Sequence, residues 1–185
     1  MSAPDYYWFL GLERKLDLDL EDLERRFYNL SRRLHPDRFA RATATEQQAA
    51  LENTAILNDA YRALRDPVSR AEYFLKAHGL ELGEQESRKT PPELLEEVFE
   101  LNMVLDEFRQ GGAAARPQLE QAHRHLAALR EEADAQLGRL FNEYDHAPDG
   151  KLLAAIRGLL NRRRYIRNLE AQVERELANV GALPD

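Results

Sequence analysis

The chain has 185 residues, enough for one ordinary domain or two small ones, and its 43% hydrophobic content is too high for a disordered chain. Its formal net charge of −7 argues against binding to nucleic acid or to an acidic membrane, so any basic patch must act locally. The absence of cysteine excludes disulfides, thiolate zinc sites and a cysteine nucleophile. Apolar residues recur at helical spacing and strand patterns are nearly absent, so we predict an all-α protein.

The first part of the chain is predicted to form short helices. An aromatic-rich segment from Asp5 to Leu12 favours the first of them. Asp19 is a good N-cap for the second, whose leucines recur every three or four residues and therefore share one face. Thr45 and Gln48 form a capping-box pattern, which predicts the start of a third helix that ends near Leu64.

A fourth helix and a linker complete this part. The pair Asp66-Pro67 combines an N-cap with a proline at the first helical position, and Gly79 predicts the end of the helix. The segment from Leu80 to Lys89 is polar and has no helical pattern, so we predict a linker there.

Three longer helices are predicted after the linker. Thr90-Pro91-Pro92-Glu93 supplies an N-cap, a first-turn proline and an N3 glutamate, so it predicts a helix start, and Gly111-Gly112 predicts the end of that helix. Two long helices follow, from about Pro117 to Asp145 and from Lys151 to about Asn179. We expect an antiparallel three-helix bundle. The predicted organisation is a domain of residues 1–79, a linker of residues 80–89 and a three-helix domain of residues 90–185.

One face of the second helix is basic, although the protein as a whole is acidic. At about 100° per residue its polar side chains fall roughly opposite the leucines, which makes the face either a solvated surface or a docking surface for an acidic partner. The tetrapeptide His35-Pro36-Asp37-Arg38 follows directly in a loop, because a proline biases the residue before it away from helix. The face consists of Arg25, Arg26, Asn29, Arg32 and Arg33.

These features, in this order, resemble a J-domain, and specifically that of the HscB family of iron–sulfur co-chaperones. The matching segments are Asp5–Leu12, His35–Phe39, Asn58–Leu64 and Pro67–Leu75. The resemblance implies binding to a DnaK- or HscA-type chaperone and stimulation of its ATP hydrolysis. The chemistry would take place in that partner, so we expect no catalytic residue, no cofactor and no enzymatic activity here. The implied chaperone-binding residues are His35, Pro36, Asp37, Arg25, Arg26, Arg32, Arg33 and Arg38.

The helix after the linker has more apolar residues than one core seam requires. Its seam repeats at intervals of three and four residues from Leu94 to Phe108. A second stripe, formed by Leu95, Phe99 and Met103, is centred roughly 140° from the seam. This stripe either widens the seam toward a second neighbouring helix or faces water as a binding site.

The last helix places Tyr165 beside its apolar seam in a stretch that is otherwise basic, where a tyrosine favours an interface. The HscB resemblance extends to this part of the chain and implies binding of the scaffold protein IscU. Glu96 and Asn102 stand at positions where a methionine and an arginine are frequent in the family. The predicted client-binding residues are Leu95, Glu96, Phe99, Glu100, Met103 and Tyr165.

Two other interpretations compete with this one. A J-domain protein with a different client would share the first set of features and differ only in the second. A metal-dependent enzyme would need the histidines at positions 35, 123, 125 and 146, but His123 and His125 diverge on a helix because they are two residues apart. We therefore predict no metal site. No segment approaches the roughly 20 apolar residues that cross a bilayer. The aromatic patch near the start lacks the basic flank of a signal peptide, so we expect a cytoplasmic protein. A homodimer is left open.

Overall fold

The computed structural model describes residues 4–80, 82, 90–110 and 113–180. Within these ranges the chain forms seven α-helices and no strand, which confirms the all-α prediction. None of the helices in the described ranges is long and apolar enough to cross a membrane. The helices are α1 (Tyr6–Leu10), α2 (Leu20–Leu34), α3 (Ala44–Arg65), α4 (Pro67–Ala77), α5 (Leu95–Arg109), α6 (Arg116–His146) and α7 (Gly150–Val180).

The chain divides into two compact units. One contains residues 1–81 together with residues 141–149, and the other contains residues 82–140 and 150–185. The end of α6 therefore belongs to the same unit as α1 to α4, although it is distant from them in sequence. The second unit contains α5, most of α6 and α7.

Three predicted helix boundaries in the first unit are confirmed. The Asp19 carboxylate accepts hydrogen bonds from the backbone amides of the first turn of α2. The Asp66 carboxylate accepts from the amide of Ser69 at 2.7 Å, and Pro67 is the first residue of α4. Gly79 follows the end of α4 with a φ of +73°, a left-handed conformation that glycine adopts without steric cost.

The predicted start of α3 is wrong by two residues. The capping box is formed by Thr43 and Glu46, and the pair Thr45 and Gln48 lies inside the helix. The Thr43 hydroxyl accepts from the Glu46 amide at 3.3 Å, and the Glu46 carboxylate accepts from the Thr43 amide at 2.9 Å. An ionised carboxylate is a stronger acceptor than the glutamine amide and also favours the positive end of the helix dipole, so the earlier pair prevails.

The predicted start of α5 is also wrong. Pro91 has a ψ of 134°, because Pro92 disfavours the helical conformation in the residue before it. The chain instead makes a 3-10 turn over Pro92–Leu94, and α5 begins at Leu95. Thr90 is not the cap. Its hydroxyl lies 2.8 Å from the Tyr165 hydroxyl of α7. The predicted stop at Gly111-Gly112 lies outside the described residues.

The core of the second unit confirms the three-helix bundle and the predicted seam of α5. The seam residue Val98 and Leu177 of α7 are partly buried and pack against this core. The buried members are Leu94 of the turn before α5, Leu101, Leu105 and Phe108 of α5, Ala115 just before α6, Leu119 and Leu126 of α6, and Ile166, Leu169 and Val173 of α7.

The first unit contains a buried cation. Arg70 of α4 is only 5% exposed, and its guanidinium donates to the backbone carbonyls of Leu16 and Leu64, each at 2.7 Å. The Tyr7 hydroxyl donates to the Lys15 carbonyl at 2.8 Å, and burial raises the pKa of this phenol well above its usual value. These bonds fix the irregular segment between α1 and α2.

The end of α6 reaches the same segment. The two carboxylate oxygens of Asp145 accept from the amides of Leu16 at 3.0 Å and Asp17 at 2.7 Å. The Tyr144 ring packs edge-on against Phe74 with their centroids 5.5 Å apart. Both contacts lie within the first unit, so residues of α6 complete its packing.

We expect Arg70→Met to lower the free energy of unfolding by about 3 kcal/mol, because two buried carbonyls lose charge-assisted hydrogen bonds while the methionine keeps most of the volume. Urea denaturation measures the effect. Arg62→Met, at a side chain 77% exposed on α3, is the matched control and should change stability by less than about 0.5 kcal/mol. Equal effects of the two substitutions would contradict a structural role for the buried guanidinium.

Candidate functional site

The His35-Pro36-Asp37 segment forms a defined turn directly after α2. His35 has a ψ of 128°, the extended conformation that a residue before proline prefers, and this ends the helix. Pro36–Phe39 then make a 3-10 turn. The Asp37 amide donates to Nδ1 of His35 at 3.3 Å, which closes the turn.

The Asp37 carboxylate is available to a partner. The side chain is 90% exposed, and His35 is 55% exposed beside it. Among the described residues the one titratable nitrogen close to this carboxylate is Nδ1 of His35, 3.5 Å from Oδ2, and this nitrogen already accepts the Asp37 amide. The turn therefore presents a carboxylate at a fixed position, without a strong cation of its own.

The predicted basic face is partly committed to local bonds. Nη2 of Arg32 donates to the Asn29 side chain at 2.9 Å, and Arg25 forms an ion pair with Asp22. Arg38 donates to the backbone carbonyl of Arg32 at 3.4 Å, which brings the cation of the turn onto the face of α2. Arg25, Arg32 and Arg38 are exposed, as is Arg33.

Arg26 differs from the other cations of this face. Its Nε donates to Asp22 at 2.8 Å, and its Nη1 donates to the carbonyl of Gly11, the residue that ends α1. The guanidinium thus ties α1 to α2. A substitution of Arg26 would remove this link between α1 and α2 as well as change the charge of the face.

Sequence reasoning missed Tyr28. Its side chain is 57% exposed, and it lies three residues after Arg25 and four before Arg32, so the three share one side of α2. Phe27, by contrast, stacks on the Tyr61 ring with their centroids 4.2 Å apart. The sequence signal for Tyr28 is an aromatic residue at helical spacing from the arginines.

The second stripe of α5 faces water. Leu95, Phe99 and Met103 are 57%, 66% and 60% exposed, while the seam on the other side of the helix is buried. The alternative in which this stripe widens the seam is therefore wrong. Glu96 and Glu100 are exposed on the same helix.

Tyr165 has a different environment from the rest of the predicted client-binding set. It packs against the core of the second unit, and its hydroxyl meets that of Thr90. Thr90 lies just ahead of the 3-10 turn that leads into α5. The contact between the two hydroxyls holds the segment that leads into α5. The Tyr165 ring is partly exposed and keeps some free surface.

The histidines of the metal-enzyme hypothesis do not form a site in the described part of the chain, where no cluster of three or more possible ligands occurs. Nε2 of His123 lies 3.1 Å from the Glu174 carboxylate. Nδ1 of His146 lies 2.7 Å from the Asn142 carbonyl of its own helix. These contacts are structural.

Comparison with known proteins agrees with this geometry. The DnaJ domain family matches residues 5–73, which hold α1 to α3, most of α4 and the His35–Asp37 turn, so the chain is a J-domain protein. The family described as the HSCB C-terminal oligomerisation domain matches residues 90–174. Together with the structural matches that follow, these two domains in this order show that the chain belongs to the HscB-type J-domain co-chaperones.

Two solved structures are similar over nearly the whole chain. Chaperone HscB from Vibrio cholerae is 28% identical, with a TM-score of 0.73 over 95% of this chain and 99% of that one. The human co-chaperone protein HscB is 25% identical, with a TM-score of 0.70 over 94% of this chain and 82% of that one.

Proposed function

We propose that the chain joins two partners in iron–sulfur cluster assembly. Its J-domain would stimulate the ATPase of a DnaK- or HscA-type chaperone, and its C-terminal helical domain, residues 90–185, would deliver an IscU-type scaffold protein. The observation that carries this proposal is the pair of exposed surfaces on different units: the turn with Asp37 on one, and the apolar stripe of α5 on the other. An adaptor needs two such surfaces.

The chaperone-binding half acts through charge. Asp37 would pair with a cation of the chaperone, and its fixed turn lowers the entropy that this contact costs. The arginines of α2, with Tyr28 among them, would meet an acidic surface of the chaperone and set the rate and register of encounter. Nucleotide hydrolysis would occur in the chaperone, so Asp37 shifts a conformational equilibrium there and transfers no proton.

The client-binding half acts through apolar burial. Fully burying a Leu, Phe or Met side chain contributes roughly 1.5–3 kcal/mol, and more than half of each stripe residue is still exposed here. An apolar surface of the scaffold could therefore gain several kcal/mol by covering the stripe. Glu96 and Glu100 flank it and favour a client with nearby basic side chains.

We also propose that the protein acts in the cytoplasm. Residues 1–79 are the proposed J-domain, and residues 80–89 are the proposed linker. The proposed function needs only one copy of the chain, since each surface is complete within one unit. A homodimer stays a separate prediction, which sedimentation velocity of the purified protein tests.

An ATPase assay tests the proposed function. The chaperone is measured alone, with this protein, and with this protein plus purified scaffold. We expect stimulation by the protein and a further increase when the scaffold is added. Stimulation without any effect of the scaffold would favour a J-domain protein with another client, and no stimulation would contradict the chaperone half.

The charge of the α2 face gives a second prediction. Arg25→Glu with Arg32→Glu should slow association with the chaperone about tenfold at low salt and weaken the salt dependence of the rate. Stopped-flow binding at two salt concentrations measures both. The control is Arg124→Glu with Arg139→Glu, two exposed sites on α6 with the same change in net charge. Equal effects of the two pairs would show that the α2 face is merely solvated.

A further inference from the structure

A groove lies between α5 and α6 in the second unit, with a volume of about 370 Å³. It is lined by residues of both helices, among them Val104 of α5 and Ala122 of α6. Its rim is polar and includes Glu97 and Glu100 of α5 and Gln121 of α6. Its apolar floor is formed by Leu101, Val104, Ala122 and Leu126.

The groove has no permanent positive charge beside its two carboxylates. Glu97 and Glu100 form no ion pair with any side chain in the described residues, and the lining contains no lysine or arginine, its one titratable nitrogen-bearing side chain being His125 of α6. An apolar floor below two carboxylates matches a side chain with an aliphatic stem and a cationic head. Lysine and arginine have this form, and arginine can also bind a carboxylate with two parallel hydrogen bonds.

The groove adjoins the exposed stripe through Glu100. At 100° per residue, Glu100 lies about 60° from Glu97 and about 100° from Phe99 around the axis of α5. Glu97 and Phe99 are themselves roughly 160° apart, so the groove and the stripe are separate surfaces of one helix. A partner that covers the stripe would pass Glu100 to enter the groove.

We infer that this groove is a second contact region for the scaffold client, one that receives a lysine or arginine side chain flanked by aliphatic residues. The inference rests on the proposed function, since it names the same client. The stripe supplies apolar burial, whereas the groove supplies charge recognition and selects clients by a basic residue at the correct distance from their apolar patch.

Titration calorimetry with purified scaffold protein tests the inference. Glu97→Lys should weaken binding about tenfold at low salt and reduce its salt dependence. Gln121→Glu should strengthen binding about threefold, a gain that misfolding cannot produce. Ala122→Leu fills the groove and should weaken binding without lowering the melting temperature. Matched controls are Glu131→Lys and Ala128→Leu, exposed sites of α6 outside the groove lining.

The outcomes separate this inference from the proposed function. If the wild-type protein does not bind the scaffold, the proposed client is wrong and the inference is wrong with it. If the wild type binds and Leu95→Ala weakens binding, but the groove variants bind like their controls, only the inference is overturned. A change in self-association of Ala122→Leu, measured by sedimentation, with unchanged scaffold affinity would assign the groove to a second copy and also overturn it.

Discussion

Asp37→Asn should reduce stimulation of the chaperone ATPase to the level seen without the co-chaperone. The side chain is 90% exposed, so the substitution removes a negative charge and leaves the packing of the first unit unchanged. The isosteric amide cannot form an ion pair with a chaperone cation, and a lost charge-assisted contact at the centre of an interface costs 2 kcal/mol or more, roughly thirtyfold or more in affinity. Steady-state ATPase assays at saturating wild-type concentration measure the loss.

Circular dichroism and thermal unfolding provide the control for Asp37→Asn, and both should match the wild type. Glu52→Gln, at an exposed carboxylate of α3, makes the same change in charge away from the turn and should stimulate normally. If Asp37→Asn retained full stimulation, the turn would not be the chaperone-binding element, and that half of the proposed function would be rejected.

Leu95→Ala combined with Phe99→Ala should weaken scaffold binding by at least two orders of magnitude. Each truncation at an interface hot spot costs about 2 kcal/mol or more of binding free energy. The same truncations in the free protein remove side chains that are 57% and 66% exposed, so stability should fall by less than about 1 kcal/mol. Titration of the scaffold and thermal unfolding of the double variant measure the two quantities.

The buried seam of the same helix supplies the matched control for the stripe. Leu101→Ala, at a residue 3% exposed, should lower the free energy of unfolding by about 2–5 kcal/mol because it leaves a cavity in the bundle. A double stripe variant that unfolds as easily as Leu101→Ala would show that the stripe supports the fold. A variant that keeps wild-type affinity would remove the stripe from the client interface.

Sequence alone predicted the features that have local causes. Asp19 and Asp66 act as caps through amides two or three residues away, and the seam of α5 follows from helical spacing within one segment. The exposure of the stripe of Leu95, Phe99 and Met103 could be stated only as one of two alternatives. Deciding between them required knowing where the neighbouring helices pack.

Contacts between residues that are far apart in sequence could not be predicted from local patterns. Thr90 is a good cap by sequence, but its hydroxyl bonds to Tyr165 of α7, 75 residues away. Arg26 belongs to a basic face by spacing, but it also donates to the carbonyl of Gly11. In both cases a tertiary hydrogen bond uses a side chain that the sequence pattern assigns elsewhere. The groove between α5 and α6 is lined by residues of both helices and could not be inferred from either helix alone.

The position of Asp145 has a consequence for any attempt to divide the protein. A fragment cut at the linker would lose the carboxylate that satisfies the amides of Leu16 and Asp17, and would leave the face of Phe74 without the Tyr144 ring. Such a fragment contains every residue of the His35–Phe39 turn, yet it should melt at a lower temperature than the same residues do in the intact chain. One continuous helix, α6, contributes residues to both units. Loss of structure at its C-terminal end would therefore remove packing from the first unit. Residues 141–149 therefore stabilise the first unit, although the rest of α6 belongs to the second.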